Sequence, residues 1–278
     1  MWGRELFSVI GRYRMRDITK KFYNTGNDLF GYPQVYKDVK FYPLKIMDTE
    51  GKHLYYRIFQ YPKEYIPDKA IIKSSYLKYL LVYINSQLSK GLGESLEKLL
   101  IKFLKIVTKV DDIQLLYPEK VSTLEELIIT VKIGNVKFNE GDFEIIREII
   151  LNQNGLSVEY VEEFNPELEE LLSFMNRKFD NLSFEDEVIT FCSMLGKTIQ
   201  EIEDYTLYQF SKHFERLILL HTHTIYSPLE ISGQIKSKDG SEIIKHYLSP
   251  VLKNGRYSSI MSSMDDHPEL KDGFKLTK

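Results

Sequence analysis

The spacing of apolar residues changes character near residue 140, and that change limits the folds open to the chain. Before it, short apolar runs are broken by turn chemistry; after it, apolar residues recur at three and four positions, the period of a helix buried on one side. The reading is an α+β protein, with an N-terminal β-rich/α part followed by a mainly helical C-terminal part. It divides into a basic aromatic arm (1–40), an α+β domain (41–140), a helical domain (141–254) and a polar tail (255–278).

The arm carries Arg4, Arg12, Arg14, Arg16, Lys20 and Lys21, interleaved with Phe7, Tyr13, Phe22 and Tyr23. Gly26, Gly31 and Pro33 are expected to interrupt any regular element there. Beyond it, Phe41–Ile46 and Leu54–Tyr61 read as strands flanking the turn Asp48-Thr49-Glu50-Gly51. Pro67 and Asp68 open an expected helix through Leu88, closed by Gly91 and Gly93. A second helix places Leu96, Leu99, Leu100, Phe103, Leu104 and Val107 on one stripe. Leu127–Phe138 reads as a hairpin turning at Gly134-Asn135.

Further on, Asp142 is placed to cap a helix over Phe143–Leu151. Asn165-Pro166, followed by Glu167, Glu169 and Glu170, is a helix start with acids at the positive dipole end. Ser183 caps the next helix and Gly196 closes it; Thr198 and Glu201 then have capping-box spacing. The helix expected from there runs to about Leu220, burying Ile199, Ile202, Tyr205, Phe210, Phe214 and Leu217.

Composition bounds what the chain can be used for. With 43% hydrophobic and 28% charged residues it is that of a globular protein. The lone Cys192 excludes an internal disulfide and any zinc site built on two thiolates, and its apolar run reads as core. No apolar run approaches the roughly eighteen residues of a membrane span, and the N-terminus has no signal-peptide pattern, so an intracellular protein without membrane contact is expected. A net charge of −3 makes nucleic acid an unlikely partner for the chain as a whole. Charge is nonetheless divided: residues 140–190 hold fourteen acids and three bases, a net −11, which leaves +8 for the remainder. Such polarity suits association between copies or recognition of a basic partner. The candidate partner-binding residues are therefore Arg12, Arg14, Arg16, Lys20 and Lys21 in the arm, with Glu162, Glu163, Glu167 and Glu170 in the acidic region. Nineteen tyrosines and sixteen phenylalanines lean the same way, since aromatic side chains serve interfaces as well as cores.

Catalytic and metal chemistry cannot be assembled from these residues. Leu195-Gly196-Lys197-Thr198 looks like the end of a phosphate loop, but Phe191 stands where that motif needs glycine. His221 and His223 diverge by roughly 200° on a helix, and no spacing ties them to His246 or to Asp265-Asp266-His267. No serine sits in a nucleophile elbow. A helix-turn-helix around Gly196 would offer DNA the acids Glu201, Glu203 and Asp204. No enzyme activity, metal or cofactor is expected.

Phe143-Glu144-Ile145-Ile146-Arg147-Glu148-Ile149-Ile150-Leu151-Asn152-Gln153-Asn154, with Asn165-Pro166, Tyr208-Gln209-Phe210 and Lys245-His246-Tyr247, resembles the tail assembly chaperone-like and tail-associated proteins of phages infecting Gram-positive bacteria. The resemblance covers residues 140–250. It implies a non-enzymatic role in the host cytoplasm, holding the tape measure, tail tube or other tail components until the tail polymerises, with homo-oligomers allowed. The N-terminal half departs from such chaperones, which brings a permanent place in the virion into contention. Two other readings stay open: a phage-encoded inhibitor covering a host defence enzyme with its acidic helices, and a nucleic-acid binder using the basic arm.

Overall fold

The computed structural model describes residues 23–60, 63, 73–84, 95–118, 126–158, 161, 165, 168 and 183–232. The architecture is α+β, with strands in the N-terminal half and helices in the C-terminal part. The chain forms two compact units, one of residues 1–44 and 48–162, the other of 45–47 and 163–278.

The first unit starts with helix α1 (Thr25–Phe30) and an antiparallel hairpin of β1 (Gln34–Tyr36) and β2 (Val39–Phe41). Gly26 lies inside α1 and Gly31 closes it at φ 69°, so the expected interruption is instead a capped helix. Helix α2 (Thr49–Ile58) overturns the expected strand from Leu54. Leu54, Tyr55, Ile58 and Phe59 are all buried, at a spacing only a helix can bring to one face. Tyrosine and phenylalanine favour strands intrinsically, but burial on one face outweighs that preference. Gly51 is helical rather than a turn residue; a Cβ there would come within 2.8 Å of Leu44 Cδ2.

Of the helix expected from Pro67 to Leu88, residues 67–72 and 85–88 lie outside the described residues, and Ser74-Ser75 are not helical. Ser75 caps α3 (Tyr76–Lys78), which runs into a π-helical turn over Tyr79–Ile84. Helix α4 (Leu96–Thr108) buries its whole expected stripe, from Leu96 to Val107. A three-stranded antiparallel sheet follows, ordered β3 (Ile113–Leu116), β4 (Thr130–Ile133), β5 (Val136–Phe138). Its β4–β5 hairpin turns at Gly134 (φ 57°) as expected, while β3 lacked a sequence signal. Helix α5 (Glu140–Gln153) completes the unit. Its core is aromatic: Phe59 and Phe103 have ring centroids 4.9 Å apart, with Tyr55 and Phe143 beside them. Arg147 is fully buried, its guanidinium 3.6 Å from the Tyr76 ring centroid, where cation–π attraction and ring packing act together.

Asp142 is not the cap of α5, as expected, but its third residue. Asn139 is the cap: its Oδ1 accepts from the Asp142 N–H at 2.9 Å, and Asp142 Oδ2 accepts from the Asn139 N–H at 2.9 Å. The carboxylate also accepts from Tyr36 Oη and Lys37 Nζ, both at 2.7 Å. Burial pulls the Asp142 pKa up, but the hydrogen bonds from Lys37, Tyr36 and Asn139 outweigh it and hold the group below its ordinary value. Burial foremost, then the hydrogen bond to Asp142, pushes the Tyr36 hydroxyl well above its usual range.

In the second unit, α6 (Phe184–Leu195) begins at a Ser183–Asp186 capping box and ends at Gly196, φ 63°. Thr198 and Glu201 form the expected box for α7 (Ile199–Ile202). The continuous helix expected beyond it stops there, because a second reciprocal pair intervenes. Thr206 Oγ1 accepts from the Gln209 N–H at 3.1 Å and Gln209 Oε1 accepts from the Thr206 N–H at 2.9 Å, starting α8 (Leu207–Ile231). Ile199 is exposed rather than buried. Val188, Phe191, Cys192, Ile202 and Phe210 form the core with Ile46, whose N–H donates to Tyr205 O at 2.9 Å. Cys192 is the core residue its apolar run implied, and burial pushes its thiol pKa up, with Glu201 adding to the effect.

Asp142→Asn is expected to lower unfolding free energy at neutral pH by about 1–3 kcal/mol, through loss of charge-assisted bonds at a buried site. Because the native pKa is depressed, the wild-type advantage is present above the ordinary aspartate value, about 3.9, and fades as pH falls through the native one. Urea denaturation of both proteins across acid pH measures this; parallel curves would refute it. Gly196→Ala meets open space, so only the left-handed backbone opposes it, and a loss of about 1 kcal/mol is expected in thermal melts.

Candidate functional site

The first unit folds its N-terminal segment with polar side chains inside and apolar ones outside. Asp28 and Gln34 are buried at 4% and 1% exposure, while Leu29, Phe30 and Tyr32 stand at 59%, 65% and 59%. Val35, between the inward-facing Gln34 and Tyr36 of β1, points out as the strand alternation dictates.

A local network makes this arrangement hold. Gln34 Nε2 donates to Asn24 O (2.7 Å) and to Asp28 Oδ1 (3.2 Å), and Gln34 Oε1 accepts from the Asn24 N–H at 3.1 Å. Tyr23 Oη donates to Asp28 Oδ2 at 2.5 Å. Asn24 caps α1, and Asn27 Nδ2 donates to Pro33 O at 3.2 Å, closing the loop over Gly31. With its polar groups satisfied inside, a six-residue helix is fixed despite exposing its apolar side chains. Phe30 and Tyr32 stack at 5.8 Å, which pre-orients two aromatic rings for a partner.

The adjoining turn is positioned by the same unit. Lys37 and Asp38 both have positive φ, 47° and 65°, the conformation of a two-residue hairpin turn usually given to Asn-Gly. The Lys37–Asp142 ion pair offsets that strain, helped by the Tyr36 and Phe138 rings near Lys37 Nζ (5.8 and 5.9 Å).

The second unit exposes apolar side chains on the distal part of α8: Ile218, Leu220, Ile225, Tyr226 and Ile231. His221 and His223 lie on this helix, and among the described residues no group of three or more His, Cys, Asp or Glu is arranged to hold a metal ion. Gly196 and Thr198 act as helix stop and helix cap, which accounts for the phosphate-loop likeness. Among the described residues no helix is long and apolar enough to cross a membrane.

The binding residues expected from sequence, Arg12, Arg14, Arg16, Lys20, Lys21, Glu162, Glu163, Glu167 and Glu170, lie outside the described residues, as do His246, Asp265, Asp266 and His267. Asn165 is described, and its Oδ1 accepts from the Leu168 N–H at 3.3 Å, as the expected helix start requires. Composition and charge do not single out Leu29, Phe30, Tyr32 and Val35. Their available signal was Asn24 as a cap and Gly31 as a stop around one helical turn and a half.

Over residues 176–251, which include all of α6, α7 and α8, the chain matches a family model described as the YomV second domain. YomV is a Bacillus phage protein, and the match suggests a phage protein here, in agreement with the origin that the tail-assembly resemblance implied. No curated protein and no solved structure matches the chain.

Gln34→Met is expected to release α1, because it removes three hydrogen bonds and leaves Asp28 under-satisfied, at a local cost of about 2 kcal/mol. Amide exchange should accelerate in Thr25–Phe30 and stay unchanged in α4. Unaltered protection of α1 would show that the network does not hold it.

Proposed function

We propose that the chain is a non-enzymatic phage protein of tail assembly, which binds other tail components and has the tape measure or tail tube protein as its partner. The observation that carries this reading is the match of residues 176–251 to a phage protein's domain. The resemblance of residues 140–250 to tail assembly proteins supplies the tail, and the preorganised patch of Leu29, Phe30, Tyr32 and Val35 supplies a surface suited to a protein partner. Two stacked, exposed aromatic rings suit an apolar anchor site of the kind found at protein interfaces. The protein acts in the host cytoplasm, where tail parts are made, and stays with the virion if its bound partner is incorporated.

The test is co-expression of the full chain with the tail genes of its phage, capture of the chain, and mass spectrometry of what is retained. Tape measure or tail tube protein is expected. Phe30→Ala with Tyr32→Ala should reduce retention about tenfold or more, as loss of two interface anchors does. Recovery of no tail component, or of a host enzyme alone, would overturn the reading.

A further inference from the structure

Helix α4 shows one sign of charge on its exposed side. Lys98, Lys102, Lys105 and Lys109 are all exposed, at spacings of four, three and four that set them in one stripe about 16 Å long. Glu97 is the only acid of the helix, and it has Leu100 and Ile101, not lysines, three and four positions on. At each end a lysine stands where stability favours another residue. Ser95 caps α4 and its Oγ accepts from the Lys98 N–H, so Lys98 holds the place that Asp142, Asp186 and Glu201 hold in the capping boxes of α5, α6 and α7. Lys78 holds that place in α3 but has Glu140 at 3.5 Å, whereas Lys98 and Lys105 have no ion pair among the described residues. Lys109 closes the helix at φ 58°, the left-handed conformation that Gly31 and Gly196 adopt at the ends of α1 and α6. Between the ends, Lys98–Lys102, Lys102–Lys105 and Lys105–Lys109 are like charges on adjacent turns, each pair weakening the helix. A face that met only water would gain by mixing its signs; this one keeps a single sign against local stability, as functional surfaces do.

We propose that this stripe receives an acidic helical segment of a protein partner. Carboxylates at the same three- and four-residue spacing on a facing helix would meet the lysines in turn, as the charged residues of paired helices do. Glu50 of α2 already sets its carboxylate against Lys102, in the way that a partner's acids would meet Lys98 and Lys105. Nucleic acid fits less well. The stripe has no arginine, the side chain that grips a phosphate with two parallel bonds, and the net charge of the chain is −3.

The probe is a labelled peptide of glutamate and alanine with glutamates at that spacing, about 20 residues long so that as a helix it covers the stripe. It is titrated with the full chain at low salt and followed by fluorescence anisotropy. Saturable binding is expected, several-fold weaker once salt screens the charges. Lys98→Gln with Lys105→Gln, at exposed positions where glutamine is as good a helix former, should weaken it about tenfold. Lys132→Gln with Lys137→Gln removes the same charge from the sheet and should leave binding unchanged. Lys98→Glu should also bind the probe poorly and yet melt a few degrees higher than the wild-type chain, because it completes the capping box. No saturable binding, equal weakening by the two pairs of substitutions, or a Lys98→Glu chain that melts lower would each overturn the proposal. Tighter binding of a thymidine oligonucleotide, lost with the same lysines, would give the stripe to nucleic acid instead. Self-association in light scattering, abolished by the Lys98 and Lys105 substitutions, would give it to a second copy's acids and equally overturn a separate partner. No tail protein enters these measurements, so their outcome is separate from that of the tail-assembly reading.

Discussion

One carboxylate organises the first unit. Asp142 closes the cap of α5, accepts the Tyr36 hydroxyl, and pairs with Lys37 in a turn whose backbone is otherwise strained. Three partners on one buried group are what make its burial tolerable: an ionised carboxylate removed from water is costly unless its lone pairs are occupied. Strand alternation does the rest. With Tyr36 drawn inward to Asp142, Gln34 must also face inward and Val35 outward. Gln34 in turn ties down Asn24 and Asp28, and so the outward aspect of Phe30 and Tyr32 depends on an acid more than a hundred residues away in sequence.

The sequence disclosed most where the governing chemistry is local. The caps at Ser183, Gly196 and Thr198 are contained within a few residues each, and the α4 stripe repeats over three turns, so both could be read directly. Where two local signals competed, the reading slipped. Asp142 is a good cap by type, but Asn139 three residues earlier is as good, and a reciprocal pair uses both. In α2, residue type and residue spacing disagreed; spacing prevailed because burial of Leu54, Tyr55, Ile58 and Phe59 is worth more than intrinsic strand preference.

The candidate surfaces were hidden for a related reason. Gly26, Gly31 and Pro33 look like interruptions until Gln34 and Asp28 are seen to satisfy one another inside the unit. Lys37-Asp38 gives no hairpin signal at all, since its stabilisation comes from a residue 105 positions on. An inward polar pair and outward aromatic rings reverse the usual pattern, and a periodicity argument assigns such residues to the wrong side. Charge asymmetry, legible at once, located residues outside the described part of the chain, whereas the surfaces of α1 and distal α8 are marked by lack of charge.

That lack of charge bears on how α8 can be a helix at all. Its distal half has no ion pair between successive turns to support it, contains the β-branched residues Ile218, Thr222, Thr224 and Ile225, and accommodates Pro228 within its length. Each of these lowers intrinsic helix stability, and isolated helices of a few turns are marginal even in favourable sequences. The first half is held by Phe210 and its neighbours in the core. Beyond Leu217 the helix must draw its stability from tertiary or quaternary packing, and Ile218, Leu220, Ile225, Tyr226 and Ile231 are the exposed apolar side chains that such packing would bury.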